Sequence, residues 1–325
     1  MAIIVQKFGG SSVANAERIF RVANIITKTY AAGNDVCVVL SAQGDTTDDL
    51  IAKAEEINPG ASRREMDMLL ACGEQMSIAL MAMAIEKMGF PVVSLCGWQV
   101  GMQTDSNHSS ARIKKVECDR VREELDKKRI VLVAGFQGIN RHGDVTTLGR
   151  GGSDTTAVAL AVALQADLCQ IYTDVDGVYT TDPRICPAAR RIERISFDDM
   201  LLLAQWGAQV LHDKSVDLAK KCGVTLEVRS CEEESVGSIV CADASGAGVT
   251  GVTRQKAEGL RLIPVTAVGC TLPSGGTIRA AVSALERENI TVCALTEGEA
   301  HFSVYVSSQD ADRALCVVHD ALFDV

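Results

Sequence analysis

Two glycine-rich segments carry the first chemical signal in this chain. Lys7-Phe8-Gly9-Gly10-Ser11-Ser12 follows a short β-branched run and leads into a helical pattern. Glycines in such a turn let several backbone N–H groups converge on one point, and Lys7 adds a full positive charge there. The segment suits an anion, although an ordinary strand-to-helix turn accounts for the same residues. It matches neither the P-loop pattern nor the dinucleotide G-x-G-x-x-G pattern. The second segment, Leu148-Gly149-Arg150-Gly151-Gly152-Ser153-Asp154-Thr155-Thr156, precedes an almost wholly apolar helix. A buried helix of that kind turns its positive N-terminal end toward a ligand. Ser153 and Asp154 serve equally well as its N-caps. Arg150, set among glycines, offers a planar fork matched to a carboxylate.

A third loop, Tyr172-Thr173-Asp174-Val175-Asp176-Gly177-Val178-Tyr179-Thr180-Thr181-Asp182-Pro183-Arg184, again follows a strand pattern. Its Asp-x-Asp-Gly start lacks the further acidic positions of a calcium loop. Its mixture of tyrosine, aspartate and arginine suits a nucleotide, with an Asp/Gly turn as the plainer reading. Glu74 stands in mid-helix in the stretch MDMLLACGEQMSIALMAMAI. A carboxylate on such an apolar face must be paired or face a cleft.

The elements that position these residues alternate. Strands are predicted at Ile3–Lys7, Val36–Ser41, Pro91–Leu95, Ile130–Gly135, Cys169–Thr173 and Val224–Arg229. Helices are predicted at Ala16–Ala31, Ser62–Met88 (opened by a Ser62-x-x-Glu65 capping box), Arg112–Lys127, Asp154–Ala166, Phe197–Leu203 and Ser215–Lys221. The expected fold class is α/β: a mostly parallel central sheet with helices on both faces, binding ligands at the carboxyl ends of its strands. Residues 233–248 are rich in small side chains and read as a linker. Beyond them Leu260–Val265, Thr277–Glu288, Thr291–Leu295, Ala300–Val306 and Gln309–Leu322 give a βαββα order, a small second domain.

Composition narrows the partners. The 325 residues carry 32 Lys+Arg against 42 Asp+Glu, a net charge of −10, with no basic run, which argues against nucleic acid. No apolar stretch is expected to span a bilayer, and the N-terminus lacks the pattern of a signal peptide. The 12 cysteines form no C-x-x-C pair and read as reduced thiols in a cytoplasmic protein. With the histidines equally scattered, no metal site is expected.

In their order and spacing, Lys7–Val13, Gly135-Phe136-Gln137-Gly138, Thr146–Thr156 and Tyr172–Arg184 resemble aspartate kinase, of the amino-acid kinase superfamily, over roughly residues 1–230. The terminal βαββα unit resembles an ACT domain, that family's regulatory module. The resemblance implies a catalytic domain at 1–232, a linker at 233–248 and a single ACT-like domain at 249–325. It implies transfer of the γ-phosphoryl of ATP to the β-carboxylate of L-aspartate, toward lysine, threonine and methionine. By similarity, Lys7, Arg150 and Asp154 are catalytic. Thr47, Glu74, Arg150, Gly151, Gly152, Ser153 and Asp154 line the aspartate site. Lys7, Phe8, Gly9, Gly10, Ser11, Ser41, Tyr172, Thr173, Asp174, Tyr179, Asp182, Pro183 and Arg184 hold ATP, whose phosphates carry Mg2+.

Two departures stand out. Many members of the family have lysine where this chain has Gln209, and His-Pro where it has His212-Asp213. Family enzymes also carry two ACT units, so the lone unit implies a homodimer formed through it and weak or absent feedback at the loop 269–276. Val249–Thr253 or another chain must complete its sheet. The competing readings are another carboxylate kinase on the same fold, disfavoured by Arg150 and Glu74, and a non-catalytic amino-acid-sensing subunit, disfavoured by intact Lys7, Arg150 and Asp154.

Overall fold

The computed structural model describes residues 1–232, 237–244, 248–256, 259–269 and 275–323. In chain order the elements are β1 (Ile3–Phe8), α1 (Ala16–Ala31), β2 (Asp35–Leu40), α2 (Thr46–Ile57), α3 (Arg63–Lys87), β3 (Val92–Leu95), β4 (Met102–Thr104), β5 (Ile113–Val116), α4 (Asp119–Asp126), β6 (Ile130–Ala134), β7 (Gln137–Ile139), β8 (Val145–Thr147), α5 (Gly152–Leu164) and β9 (Leu168–Thr173). They continue with β10 (Val178–Tyr179), β11 (Arg191–Ile192), β12 (Arg194–Ser196), α6 (Phe197–Gln205), α7 (Asp213–Cys222), β13 (Leu226–Ser230), β14 (Ser238–Cys241), β15 (Gly251–Arg254), β16 (Leu262–Val268), α8 (Gly275–Arg287), β17 (Ala294–Glu297), β18 (His301–Ser307) and α9 (Ala311–Phe323). Two compact units result: Met1–Asp176 with Leu218–Val236, and Gly177–Asp217 with Gly237–Val325.

In the first unit the strands run parallel in the order β13-β9-β1-β2-β6-β3. Alternation explains the two covered faces. Val36, Val38, Leu40, Ile130, Leu132 and Ala134 join Val22 and Ile26 of α1 and Ile78, Met81 and Ile85 of α3 in one core. The intervening Cys37, Val39, Val131 and Val133 are equally buried, so they point to the opposite face. A smaller sheet, β5-β4-β7-β8, completes this unit.

Ser62 caps α3 by accepting from the Glu65 N–H at 3.4 Å. Contrary to expectation, α3 is long and apolar enough, by length and composition, to cross a membrane. Its charges gather at the two ends with only Glu74 between them, and its buried face belongs to the sheet core. A second correction concerns Arg112–Lys127. Only Asp119–Asp126 is helical; Ile113–Val116 is a strand, drawn from helix by antiparallel pairing with Met102–Thr104. Helix α2, with no buried residue, leaves no apolar stripe to read in the sequence.

The second unit contains the antiparallel sheet β15-β16-β18-β17, with α8 and α9 packed on it through Ile263, Val265, Leu285, Phe302, Val304, Leu315 and Val318. The expected βαββα order is present, and the chain's own β15 supplies the fourth strand. Within the expected linker, Ser238–Cys241 is a strand paired in parallel with Arg194–Ser196. The linker positions 233–236 and 245–247, and 270–274 of the expected effector loop, lie outside the described residues. Cys186 and Cys316, expected as free thiols, form a disulfide within this unit. Their separation of 130 residues gave no spacing signal.

Candidate active site

Parallel pairing brings the carboxyl ends of β9, β1, β2 and β6 to one edge of the first unit; the first glycine-rich segment leaves from β1 there, and the second follows β8 of the smaller sheet. After β1, Gly9 stays extended and Gly10–Val13 forms a single 3-10 turn. Gly10 is held to glycine because a Cβ there would run into the Ala42 carbonyl oxygen. The Gly44 N–H donates to the Gly10 carbonyl at 3.0 Å, so the loops after β1 and β2 are nested. Phe8 stacks on Tyr172 with ring centroids 4.5 Å apart, and both side chains are buried in the core. Thr173 donates to Asp174 at 2.9 Å, and Asp174 and Ser11 are exposed.

Lys7 points across this edge to Asp154 in the first turn of α5, with Nζ to carboxylate oxygen at 2.7 Å and both side chains mostly buried. Geometry settles the capping question left open by the sequence. The N-cap of α5 is Gly151, in the left-handed region at φ 69, and it makes no side-chain cap. Asp154 is therefore available to the lysine, and the first-turn N–H groups of α5 retain their partial positive charge for an anion. Gly135, at the end of β6, meets this helix directly: a Cβ there would fall 2.7 Å from Ser153 Oγ. Phe136 takes the left-handed conformation (φ 67), held by its N–H to Thr156 Oγ1 at 3.1 Å and by Leu148 N–H to its carbonyl at 2.8 Å. Arg150 is exposed between Gly149 and Gly151, both at positive φ. Thr47 and Ser41 are half-buried, at the start of α2 and the end of β2.

Glu74 is 3% exposed on α3. One carboxylate oxygen accepts from the Ala42 N–H at 3.1 Å, and the other has no hydrogen-bond partner among the described residues. Burial pushes its carboxyl up to about 7, against a smaller lowering by the Ala42 N–H. Gly73 permits the approach, since a Cβ there would stand 2.8 Å from Ala42 Cβ. Glu74 therefore abuts the loop after β2 with one oxygen waiting for a donor.

Asp67 escaped the sequence reading. It is fully buried on the same face of α3 and accepts from Ser109 N–H at 3.0 Å, Thr147 N–H at 3.0 Å and Thr147 Oγ1 at 2.6 Å. His108 Nδ1 lies 3.0 Å away. Thr147 opens the run into Gly149–Ser153, so Asp67 anchors the segment that delivers α5 and Arg150. The available signal was the one that exposed Glu74, a carboxylate in an apolar helix.

The remaining sequence-selected residues belong to the second unit. Tyr179 pairs with Arg191 in the β10–β11 ladder. Asp182 is held by the Arg184 N–H, Nε and Nη2 at 3.0, 2.9 and 2.8 Å, which keeps its carboxyl below the ordinary carboxylate range. The turn through Pro183 is thereby closed on itself. Gln209 is exposed.

Residues 2–230 match the model of the amino acid kinase family. The chain is 55% identical over 245 residues to aspartokinase from Geobacillus stearothermophilus, covering 75% of this chain and 60% of that protein. It is 44% identical over 325 residues to aspartokinase 2 from Bacillus subtilis, covering 98% and 79%. The chain thus spans less than two thirds of the first of these relatives. A crystal structure of E. coli aspartokinase III in complex with aspartate and ADP superposes with a TM-score of 0.72 at 26% identity, covering 98% of this chain and 84% of that one. The chain belongs to the amino acid kinase family and, within it, to the aspartokinases.

Proposed function

We propose that the protein is an aspartate kinase: it transfers the γ-phosphoryl of ATP to the β-carboxylate of L-aspartate, giving 4-phospho-L-aspartate and ADP. The observation that carries this reading is the Lys7–Asp154 pair at 2.7 Å beside an N-terminus of α5 left without a side-chain cap. A carboxylate oxygen attacks the γ-phosphorus, and the bond to the β,γ-bridging oxygen breaks with its electron pair passing to ADP. The nucleophile is already ionised, so no general base is needed. The difficulty is repulsion between a carboxylate and a polyanion, which positive charge and positioning relieve.

Lys7 with the Gly9 and Gly10 amides holds the phosphates, and Asp154 fixes where the Lys7 charge sits. Arg150 takes a substrate carboxylate in bidentate fashion. Glu74, near neutral in the free protein, gains its missing donor from the substrate ammonium, with Asp154 and Thr47 beside it. Ser41, Thr173, Asp174, Tyr179, Asp182, Pro183 and Arg184 serve the nucleotide in the same reading. The bound ADP and aspartate of the E. coli relative support this ligand pair. Mg2+ would screen charge on the ATP phosphates; among the described residues no three His, Cys, Asp or Glu side chains gather into a metal cage of their own.

The same reading divides the chain at 1–232, 233–248 and 249–325. It makes the last part an ACT-like module through which a cytoplasmic homodimer forms, with weak feedback by lysine or threonine. Hydroxylamine trapping of the acyl phosphate tests the reaction. Aspartate should give ATP-dependent hydroxamate, glutamate little, and Lys7→Ala should lose at least about 100-fold in kcat. Turnover with aspartate unchanged in Lys7→Ala sinks the mechanism, and preference for glutamate sinks the substrate.

A further inference from the structure

Thr180 stands between the β10–β11 ladder and the turn Asp182-Pro183-Arg184, and it is tied in four directions. Its N–H donates to the Arg190 carbonyl at 2.9 Å, and its carbonyl accepts from the Val252 N–H at 2.7 Å. Its hydroxyl oxygen accepts from the Arg190 N–H at 2.9 Å. The fourth contact comes from the C-terminal helix: His319 Nε2 of α9 lies 2.9 Å from Thr180 Oγ1, across 139 residues of chain. Both residues are buried, so water cannot readily replace this hydrogen bond when one partner is lost.

His319 is itself held. Its Nδ1 lies 3.0 Å from the Asp320 carboxylate, and its ring stacks on Phe323 with centroids 4.7 Å apart. Neighbours on two sides fix the imidazole, so Nε2 is presented at one place. The other buried positions of α9 are Ala311, Ala314, Leu315 and Val318. A polar ring among them is costly unless it is hydrogen-bonded, and the bond it makes goes to Thr180.

The turn that follows is gripped by the same helix. The Ile185 and Cys186 N–H groups both donate to the Asp182 carbonyl, at 3.1 and 2.9 Å, so 182–186 closes on itself. Ile185 packs on the core of the C-terminal sheet, and Cys186 is bonded to Cys316, one helical turn before His319. Helix α9 therefore holds the chain on both sides of Asp182-Pro183-Arg184, and all of these residues belong to one compact unit. The pairing of Arg184 with Asp182 gives the turn its shape. Its anchors on α9 give it its place.

We propose that His319 is a positioning residue for the nucleotide: through Thr180 it sets where Tyr179, Asp182 and Arg184 meet ATP, without touching ATP itself. The inference rests on the reading of those three residues as nucleotide contacts. Binding lost equally from the ground and transition states raises KM and leaves kcat alone, so the effect belongs in the KM for ATP.

Kinase assays on the full chain, with the Cys186–Cys316 bond intact, test it beside circular dichroism and Tm. His319→Phe keeps a ring against Phe323 and deletes the polar atom. It should raise the KM for ATP about fivefold, with kcat and the KM for aspartate within about twofold of the parent. His319→Gln again offers Thr180 a polar partner and should bring the KM for ATP back to within about twofold. Thr180→Val reads the same hydrogen bond from the turn and should raise the KM for ATP at least as much. Adding His319→Phe to it should do nothing further, because the bond is already gone. Arg184→Ala should raise the KM for ATP about tenfold. A KM for ATP unmoved in both His319→Phe and Thr180→Val, an equal rise in the Phe and Gln variants, or additive effects in the double variant would each overturn the positioning role. If Arg184→Ala alone raises the KM, the nucleotide reading stands and this inference falls. A parental KM for ATP in Arg184→Ala overturns the nucleotide reading itself.

Discussion

Asp67 and Glu74 lie seven residues apart on one face of α3, both buried, and they are opposite kinds of carboxylate. Asp67 has two backbone N–H groups, a hydroxyl and an imidazole nitrogen within hydrogen-bond distance. Glu74 has one backbone N–H and an oxygen with no hydrogen-bond partner among the described residues. A buried carboxylate that lacks donors pays in desolvation and responds by holding its proton. The Asp67 end of the helix is therefore complete in the free protein, whereas the Glu74 end keeps an oxygen with no hydrogen-bond partner among the described residues, the one that the proposed reading gives to the substrate ammonium. What separates a structural acid from a binding one here is its count of donors; burial does not distinguish them.

Removing the saturated acid should have the largest effect. Asp67→Ala strands several buried donors at once and should lower stability by about 3–5 kcal/mol in urea denaturation, with kinase activity falling in step as the Gly149–Ser153 segment loses its anchor. A loss under about 1 kcal/mol would erase the distinction drawn above. Glu74→Gln should behave in the reverse sense. At pH 8 the KM for aspartate should rise about tenfold or more, while Tm holds or increases because no buried charge remains to desolvate. A Tm collapse with unchanged KM would make Glu74 structural as well.

The pH response sharpens the contrast. The Glu74 carboxyl is raised from its ordinary range to about 7, so the folded chain holds a proton that the unfolded chain has lost. Its contribution to stability is fullest at the acid end of that window and falls as pH rises through about 7. In the proposed reading substrate binding needs the anion and runs the other way. The KM for aspartate should fall about tenfold between about pH 6 and 8, since one pKa unit is a factor of ten, and Glu74→Gln should flatten the profile. The smallest effect belongs to His108→Gln, which removes one partly exposed donor from Asp67 and should cost under about 1.5 kcal/mol in thermal denaturation.

Much of this arrangement was legible in the sequence because it rests on local pattern. Apolar runs of five or six residues ending in Lys7-Phe8-Gly9-Gly10 or Gly135 predicted parallel strands and their loops, and Glu74 stood out against an apolar helix. Asp67 lies in the same apolar helix and carried the same signal, masked by the charges of Arg63, Arg64 and Glu65 just before it. The strand at Ile113–Val116 was hidden for a related reason: a charge-rich stretch reads as helix until β4 offers it hydrogen bonds. Pairings far apart in the chain, such as Lys7 with Asp154 in one ion pair or Cys186 with Cys316 in one covalent bond, leave no periodic trace. The family resemblance placed Lys7 and Asp154 in one site without pairing them, and it gave no sign of the disulfide.

That covalent bond changes what a break in the chain means. Residues 186 and 316 bracket a closed ring of polypeptide, and the ring includes β14, β15 and the whole of the C-terminal sheet. One proteolytic nick anywhere inside it leaves a single molecule of unchanged mass apart from the water added. Two fragments appear on a denaturing gel only after a thiol reductant is supplied.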